Sequence, residues 1–224
     1  MFDIKSLLSP EGLMRILAIV LALTVHESSH ALAALWLGDT TAKERGRISL
    51  NPLRHIDPIG VIMLLVAGFG WAKPVMVDNR YFKNQKRDMA ITALAGPCSN
   101  FLLAFVSLVV MSLLYNFAPH TVTVGYVFDF LIWCAVINIG LGVFNLFPIP
   151  PLDGSKILGM FLPDRLYYTL MRYEKYGMLL LAALLFTGIL NTPLSFLRNG
   201  ALSLLDVGNL FSFGSGGEIF RKTW

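Results

Sequence analysis

A short motif near the N-terminus combines the residue types and the spacing of a metal site. His26 and His30 are four residues apart, with Glu27 between them, in the pattern H-E-x-x-H. Residues four apart lie on one face of a helix, so both imidazoles can bind a single ion. Glu27 is turned by about 100° from His26, which lets it reach a water beside the ion without ligating the metal. This spacing is typical of zinc hydrolases in which the glutamate is the general base.

The surroundings of the motif argue against a chance match. It lies within an otherwise apolar stretch, residues 16–37. An ionisable group at the middle of a membrane costs on the order of 3 kcal/mol, and such groups are usually functional. A bound metal would offset this cost, so we interpret the motif as a metal site in a membrane helix.

A catalytic zinc needs a third protein ligand in addition to the two histidines and a water. Asp153 follows the third long apolar stretch, and we expect it at the same depth and on the same side of the membrane as the histidines. His55, in the first basic loop, remains an alternative, whereas His120 lies in the loop that we assign to the opposite face. The pattern favours Asp153.

The composition indicates an integral membrane protein. Of the 224 residues, 55% are hydrophobic and 14% are charged, and the mean hydropathy is +0.64, whereas a soluble domain has about 25% charged residues. These values exclude an ordinary cytosolic domain, a disordered chain and a disulfide scaffold. The net charge of +4 gives no support to nucleic-acid binding. The apolar composition makes the lipid bilayer the expected surroundings.

Four apolar stretches are long enough to cross a bilayer, which takes about 20 residues. We predict helices over about 13–37, 89–115, 124–147 and 176–192. A fifth apolar stretch, residues 59–72, is too short to cross and has basic residues on both sides. Because basic flanks belong on the cytoplasmic face, we predict a re-entrant loop or β-hairpin over about 59–77.

The predicted fold class is therefore an all-α integral membrane protein, with about four transmembrane helices and a re-entrant segment after the first. Residues 1–197 would form the membrane-embedded domain. Residues 198–224 would form an interfacial or flexible C-terminal segment.

Three further motifs accompany H-E-x-x-H. They are the sequence G-F-G-W-A-K-P-V that begins at Gly68, Gly96-x-x-x-Asn100, and Asn145-x-x-Pro148-x-x-x-Leu152-Asp153-Gly154. Together the motifs resemble those of the site-2 protease family of intramembrane zinc metalloproteases, over residues 25–154. No PDZ-like insert interrupts the chain, so it resembles a short form of that family.

The resemblance implies a set of roles for these residues. One Zn²⁺ ion would be bound by His26, His30 and Asp153, with Glu27 as the base. The loop that begins at Gly68 would bind substrate through Gly68, Gly70, Val75 and Val77. An extended backbone there would offer an unpaired edge to an unwound substrate, and the alternative is a loop that only fills the space between helices.

Two asparagines would be polar groups of the active-site cleft, by the same resemblance. They are Asn100 and Asn145. Asn145 lies eight residues before Asp153 and is the stronger candidate for the donor that a peptide oxyanion needs. An amide in lipid can also serve only to bind another helix, and to that packing role we assign Asn138.

The predicted function is that of an intramembrane zinc endopeptidase. It would hydrolyse peptide bonds within or next to the transmembrane segment of a membrane-protein substrate, as in regulated intramembrane proteolysis. We expect a multi-pass protein of the cell (inner) membrane of a prokaryote, with the active site towards the cytoplasmic side. A non-proteolytic zinc-binding membrane protein and a metal transporter remain alternatives. The general base argues against the first, and the near absence of polar residues over 176–197 argues against the second.

Overall fold

The computed structural model describes residues 9–60, 63, 70–119 and 121–205. The described residues form eight α-helices and three short 3₁₀ turns, with no β-strand among them. The helices are α1 (Pro10–Trp36), α2 (Thr41–Glu44), α3 (Gln85–Phe117), α4 (Val122–Asn145), α5 (Asp153–Gly159), α6 (Asp164–Tyr173), α7 (Gly177–Phe186) and α8 (Asn191–Leu205). The fold is helical, as predicted.

Three of these helices, α1, α3 and α4, are long and apolar enough to cross a membrane. They contain 27, 33 and 24 residues, which corresponds to about 36–50 Å at 1.5 Å per residue. The hydrocarbon core of a bilayer is about 30 Å thick. Helix α1 begins where the hydroxyl of Ser9 accepts a hydrogen bond from the backbone N–H of Gly12, with Pro10 in the first turn.

Helices α1, α3 and α4 pack against one another in all three pairs. The buried face of α1 consists largely of alanines, and α3 and α4 contribute further small residues to the contact: Ala18, Ala22, Ala31 and Ala34 of α1, Ala90 and Ala104 of α3, and Ala135 of α4. Small side chains let helix backbones approach closely, which is how helices associate in a membrane. This close packing brings His26 and His30 of α1 up against α3.

The predicted helix over 176–192 is divided in the structure. Helix α7 ends at Phe186 and α8 begins at Asn191. Between them, Gly188 has φ 69°, a left-handed conformation that a glycine adopts without strain and that ends a helix. Neither helix reaches spanning length by itself, and residues 198–205 of the segment predicted to be interfacial or flexible belong to α8.

The loop between α1 and α3 is fastened back onto the end of α1. Asp39 is fully buried, and its carboxylate accepts hydrogen bonds from the backbone N–H groups of Thr41, at 2.8 Å, and Asp78, at 2.7 Å. An isolated antiparallel bridge pairs Ile56 with Ala72. These contacts hold residues 72–78 against the C-terminal end of α1 and the loop that follows it.

Candidate metal centre

Three donor atoms from two distant parts of the chain converge between the packed helices. Nε2 of His26 and Nε2 of His30 are 3.0 Å apart, and Oδ2 of Asp153 lies 3.2 Å from each of them. All three residues are buried. The histidines project from α1, whereas Asp153 is the first residue of α5. The group of three could hold one metal ion.

The second nitrogen of each imidazole has an acceptor, which fixes the tautomer of the ring. Nδ1 of His30 donates to the backbone carbonyl of Thr92, at 2.7 Å. Nδ1 of His26 lies 2.5 Å from Oδ1 of Asn100, and the amide nitrogen of Asn100 donates to Oδ1 of Asn138, at 2.6 Å. Both Nδ1 atoms therefore carry the proton, so both Nε2 atoms present a lone pair to the centre of the group.

The donor group fits a zinc ion. Lone pairs of two Nε2 atoms and a carboxylate oxygen face one another, and Oδ2 of Asp153 is buried without a hydrogen-bond partner among the described residues. A cation removes the repulsion between these atoms. Zinc with bonds of about 2.0–2.1 Å in tetrahedral geometry holds neighbouring donors about 3.3 Å apart, close to the 3.0–3.2 Å observed. Two imidazoles and a carboxylate are also a known ligand set of catalytic zinc.

The position of Asp153 beside the histidines depends on the residue that follows it. Gly154 follows directly, and a Cβ atom added to it would lie 2.2 Å from the carbonyl oxygen of Leu146. The absence of a side chain at Gly154 therefore lets α5 begin close against the end of α4, which brings Asp153 to the histidines.

The two imidazoles lie against a surface of α3 that has no side chain. A Cβ atom added to Gly96 would lie 2.4 Å from Nε2 of His30 and 2.6 Å from Cε1 of His26, both far inside van der Waals contact. Gly96 has ordinary helical backbone angles, so a glycine is not needed here for its conformation. It is needed because the two imidazoles approach the backbone of α3 at this position. It forms the floor of the metal centre.

Glu27 lies next to the metal-binding group and contacts the loop between α1 and α3. It is half-buried, and its Oε2 accepts a hydrogen bond from the backbone N–H of Val75, at 3.1 Å. The carboxylate of a prospective base is thus held from the loop side, one residue away from His26 in the chain.

Comparison with known proteins assigns the chain to a family. The profile of peptidase family M50 matches residues 114–188. The candidate zinc metalloprotease YwhC of Bacillus subtilis (strain 168) is 37% identical over 175 residues, which are 77% of this chain and 80% of YwhC. The chain belongs to peptidase family M50, the site-2 protease family.

More distant relatives carry the same description. The candidate zinc metalloprotease Rip2 of Mycolicibacterium smegmatis is 29% identical over 77% of this chain and 66% of its own length. A candidate zinc metalloprotease of Methanocaldococcus jannaschii, MJ0611, is 34% identical over 45% of this chain and 49% of its own length. No solved structure matches at a significant level. The protein is a zinc metalloprotease, and its apolar helices are those of a membrane protein.

The remaining residues predicted for the site of this M50 protease lie at the end of α4 and in the loop between α1 and α3. Asn145 is the last residue of α4, and its amide donates to the carbonyl of Leu141, one turn back in the same helix. Gly70 is exposed, and Val77 is half-buried on the loop. Gly68, like His120, lies outside the described residues.

The alternative third ligand, His55, points away from the other two histidines. Its Nε2 lies 2.7 Å from the carbonyl oxygen of Ser49 and 3.4 Å from Oγ of Ser28. The hydroxyl of Ser28 donates to the same carbonyl, at 2.7 Å. His55 therefore joins the first basic loop to α1, and the structure groups Asp153 with His26 and His30 instead.

Three residues of the site were not among the predicted site residues. Thr92 contributes only its backbone carbonyl, which no sequence pattern marks. Asn138, assigned to packing, orients Asn100 and donates to the carbonyl of Cys134, at 2.8 Å. Gly96 was noticed only as part of a motif, although a glycine four residues before a buried polar residue on an apolar helix is a signal of close helix approach.

Proposed function

We propose that this zinc metalloprotease cleaves peptide bonds within or next to the transmembrane segments of other membrane proteins. The observation that carries the proposal is the position of the donor group. His26 and His30 lie in the second half of α1, a helix of membrane-spanning length, and they are buried against α3. A substrate that reaches this site must come within the same helical bundle, so a membrane-embedded segment is the fitting substrate.

We assign His26, His30 and Asp153 as the ligands of the zinc and Glu27 as the general base. Held by these residues, a zinc ion would polarise the scissile carbonyl and make a nearby water more acidic. Glu27 accepts the proton of the attacking water and then returns it to the leaving amine. The hydrogen bond from Val75 holds the Glu27 carboxylate in one orientation, which favours proton transfer along one path.

The two predicted asparagines take different roles. Asn100 bonds to His26 and to Asn138, which supports a role in orienting a ligand rather than in contacting substrate. Asn145 is half-buried at the end of α4, eight residues before Asp153 in the chain, and we keep it as the candidate oxyanion donor. Its amide would have to leave its contact with the carbonyl of Leu141 when substrate binds.

A transmembrane helix hides its carbonyl groups in internal hydrogen bonds, so the substrate must unwind near the cut. The backbone at 73–77 is a suitable partner for an unwound chain. Val75 and Val77 are half-buried and Met76 is exposed, which is the alternation of a strand. The N–H of Val75 already bonds to Glu27, so we propose that substrate pairs with the opposite edge, at Met76.

We propose that the segment between Ile56 and Ala72 enters and leaves the membrane on one side. The antiparallel bridge between these two residues supports this, as does the hydrogen bond from the N–H of Lys73 to the carbonyl of His55, at 2.8 Å. Both ends of the segment thus lie together, next to the cytoplasmic side expected from their basic flanks. With residues 177–205 as a further crossing, the protein would have about four transmembrane segments and a cytoplasm-facing active site.

The experiment is cleavage of single-span membrane proteins by the purified protease in lipid vesicles, with zinc content measured in parallel. Glu27→Gln should abolish cleavage and retain zinc, because an amide keeps the shape but cannot accept the proton. Glu44→Gln is the matched control, since Glu44 is exposed at the end of α2 and its carboxylate accepts a hydrogen bond from the hydroxyl of Thr40. Full activity of Glu27→Gln would remove Glu27 as the base, and a wild-type protein that binds zinc but cleaves no membrane segment would contradict the proposed substrate class.

A further inference from the structure

Arg47 is a buried cation outside the metal centre. Its residue is 6% exposed, although arginine is almost never buried without a partner. The guanidinium donates from Nη1 to the backbone carbonyl of Arg54 and from Nη2 to the backbone carbonyl of Lys73. The planar fork of an arginine can reach two acceptors at once, which the point charge of a lysine cannot do with the same geometry.

The two carbonyls that Arg47 binds lie on opposite sides of one segment. Arg54 precedes the segment between Ile56 and Ala72, and Lys73 follows it. Arg47 therefore closes the base of this segment from a third position in the chain, alongside the bridge that pairs Ile56 with Ala72. One side chain thus holds the two ends of this segment together.

The backbone that follows the segment leads directly to the carboxylate of Glu27. Lys73, held by Arg47, is two residues before Val75, whose N–H donates to Oε2 of Glu27. The two charges also interact through space: burial lowers the pKa of Arg47, and the negative charge of Glu27 opposes that lowering. Arg47 is thus joined to Glu27 both through two residues of backbone and through space.

We propose that Arg47 is a positioning residue of the protease: by clamping the carbonyls of Arg54 and Lys73, it places Val75 so that its N–H orients Glu27. The proposal rests on the role of Glu27 as the base. Among the described residues, the side-chain hydrogen bonds of Arg47 go to these two carbonyls, and neither belongs to a metal ligand or to Met76. Its effect on catalysis is therefore transmitted through the position of the 73–75 backbone.

The first test compares three variants for cleavage kinetics and zinc content. Arg47→Gln should retain zinc and lower kcat on the order of 10²-fold, the loss expected when a catalytic group is displaced by about 1 Å, with little change in KM. Arg47→Lys keeps the charge but not the fork, so it should remain impaired. Arg45→Gln is the matched control, because Arg45 is an exposed arginine two residues before Arg47 and lies outside the clamp. It should cleave like wild type.

The second test restores the position without the arginine. In the bridge between Ile56 and Ala72, the hydrogen bond runs between the flanking residues, from the N–H of Lys73 to the carbonyl of His55. Ile56 and Ala72 are therefore a non-hydrogen-bonded pair, whose Cα atoms lie close together. Cysteines at both positions can therefore form a disulfide. The test protein combines Arg47→Gln with Ile56→Cys and Ala72→Cys, and its exposed Cys98 is replaced by serine. Oxidation to the disulfide should restore kcat, and reduction of the disulfide should remove the gain.

The outcomes separate this proposal from the function it rests on. Wild-type kcat in Arg47→Gln, loss of zinc from that variant, or a disulfide that forms without restoring kcat would each overturn the positioning role. Failure of the proposed function would instead appear in the wild-type protein, as an absence of cleavage or as full activity of Glu27→Gln.

Discussion

Substitution of Gly96 by alanine tests the metal centre without touching any donor atom. The added Cβ would lie 2.4 Å from Nε2 of His30, 2.5 Å from its Cε1 and 2.6 Å from Cε1 of His26. Neither ring can simply swing away, because Nδ1 of His30 is bonded to the carbonyl of Thr92 and Nδ1 of His26 to Asn100. One imidazole must leave its place or α3 must move back from α1.

The size of the effect follows from the cost of overpacking. Forcing a methyl group into a filled site costs about 1–3 kcal/mol. Because the strain falls on the two ligating rings, most of this cost should appear in zinc binding, as an affinity about 5- to 150-fold weaker than that of the wild type. Cleavage measured at limiting zinc should fall with metal occupancy.

The assay is zinc content of the purified protein, followed by competition with a chelator of known affinity. Gly140→Ala is the control, because it is also a helical glycine in a long apolar helix, and a Cβ there would meet nothing within 4 Å. That variant should bind zinc like wild type. Wild-type zinc affinity in Gly96→Ala would refute the assignment of the two histidines as ligands in the observed arrangement.

Three other predictions concern the third ligand, the topology and the substrate edge. Asp153→Ala should lower zinc content, because two histidines leave the metal under-coordinated, while His55→Ala should retain it; the reverse result would make His55 the third ligand. Cysteines introduced at Ser49 and Val77 should both react with an impermeant reagent from the cytoplasmic face only, and labelling from opposite faces would make residues 59–72 a crossing. Met76→Pro should impair cleavage of a membrane substrate with zinc unchanged, because it removes an outward N–H. Met76→Ala retains that N–H and serves as the control. Equal cleavage by both variants would indicate a loop that only fills the space between helices.

His26, His30 and Asp153 could be predicted from the sequence because each is marked by residues close to it in the chain. The spacing of His26 and His30 defines a helix face, and Asp153 follows an apolar stretch that must return to the same side of the membrane. The residues that hold the two histidines in place could not be predicted in this way. The carbonyl of Thr92 is a backbone atom whose position depends on how α3 packs on α1, and no residue type announces it. Asn138 meets Asn100 only once α3 and α4 are in contact.

The last part of the chain shows a second limit of prediction from composition. Residues 176–192 are uncharged throughout, and such a run predicts one continuous helix. The break depends on Gly188, which takes a left-handed conformation, and a single glycine in an apolar helix is common enough to be tolerated. The role of Arg47 was equally hidden, because its partners are two carbonyls that become neighbours only when the segment between them folds back.

The metal-binding residues come from the first and from just after the last of the three packed helices, since His26 and His30 belong to α1 and Asp153 follows α4. A metal held there is a cross-link between segments more than 120 residues apart in the chain. Helices in a bilayer gain little from burying apolar surface against each other, so such a cross-link would supply an unusually large share of the cohesion of the bundle. An N-terminal fragment made during synthesis would lack the third ligand. Zinc capture would then wait until α4 and the turn after it have been made, and the enzyme could not become active before its transmembrane core is assembled.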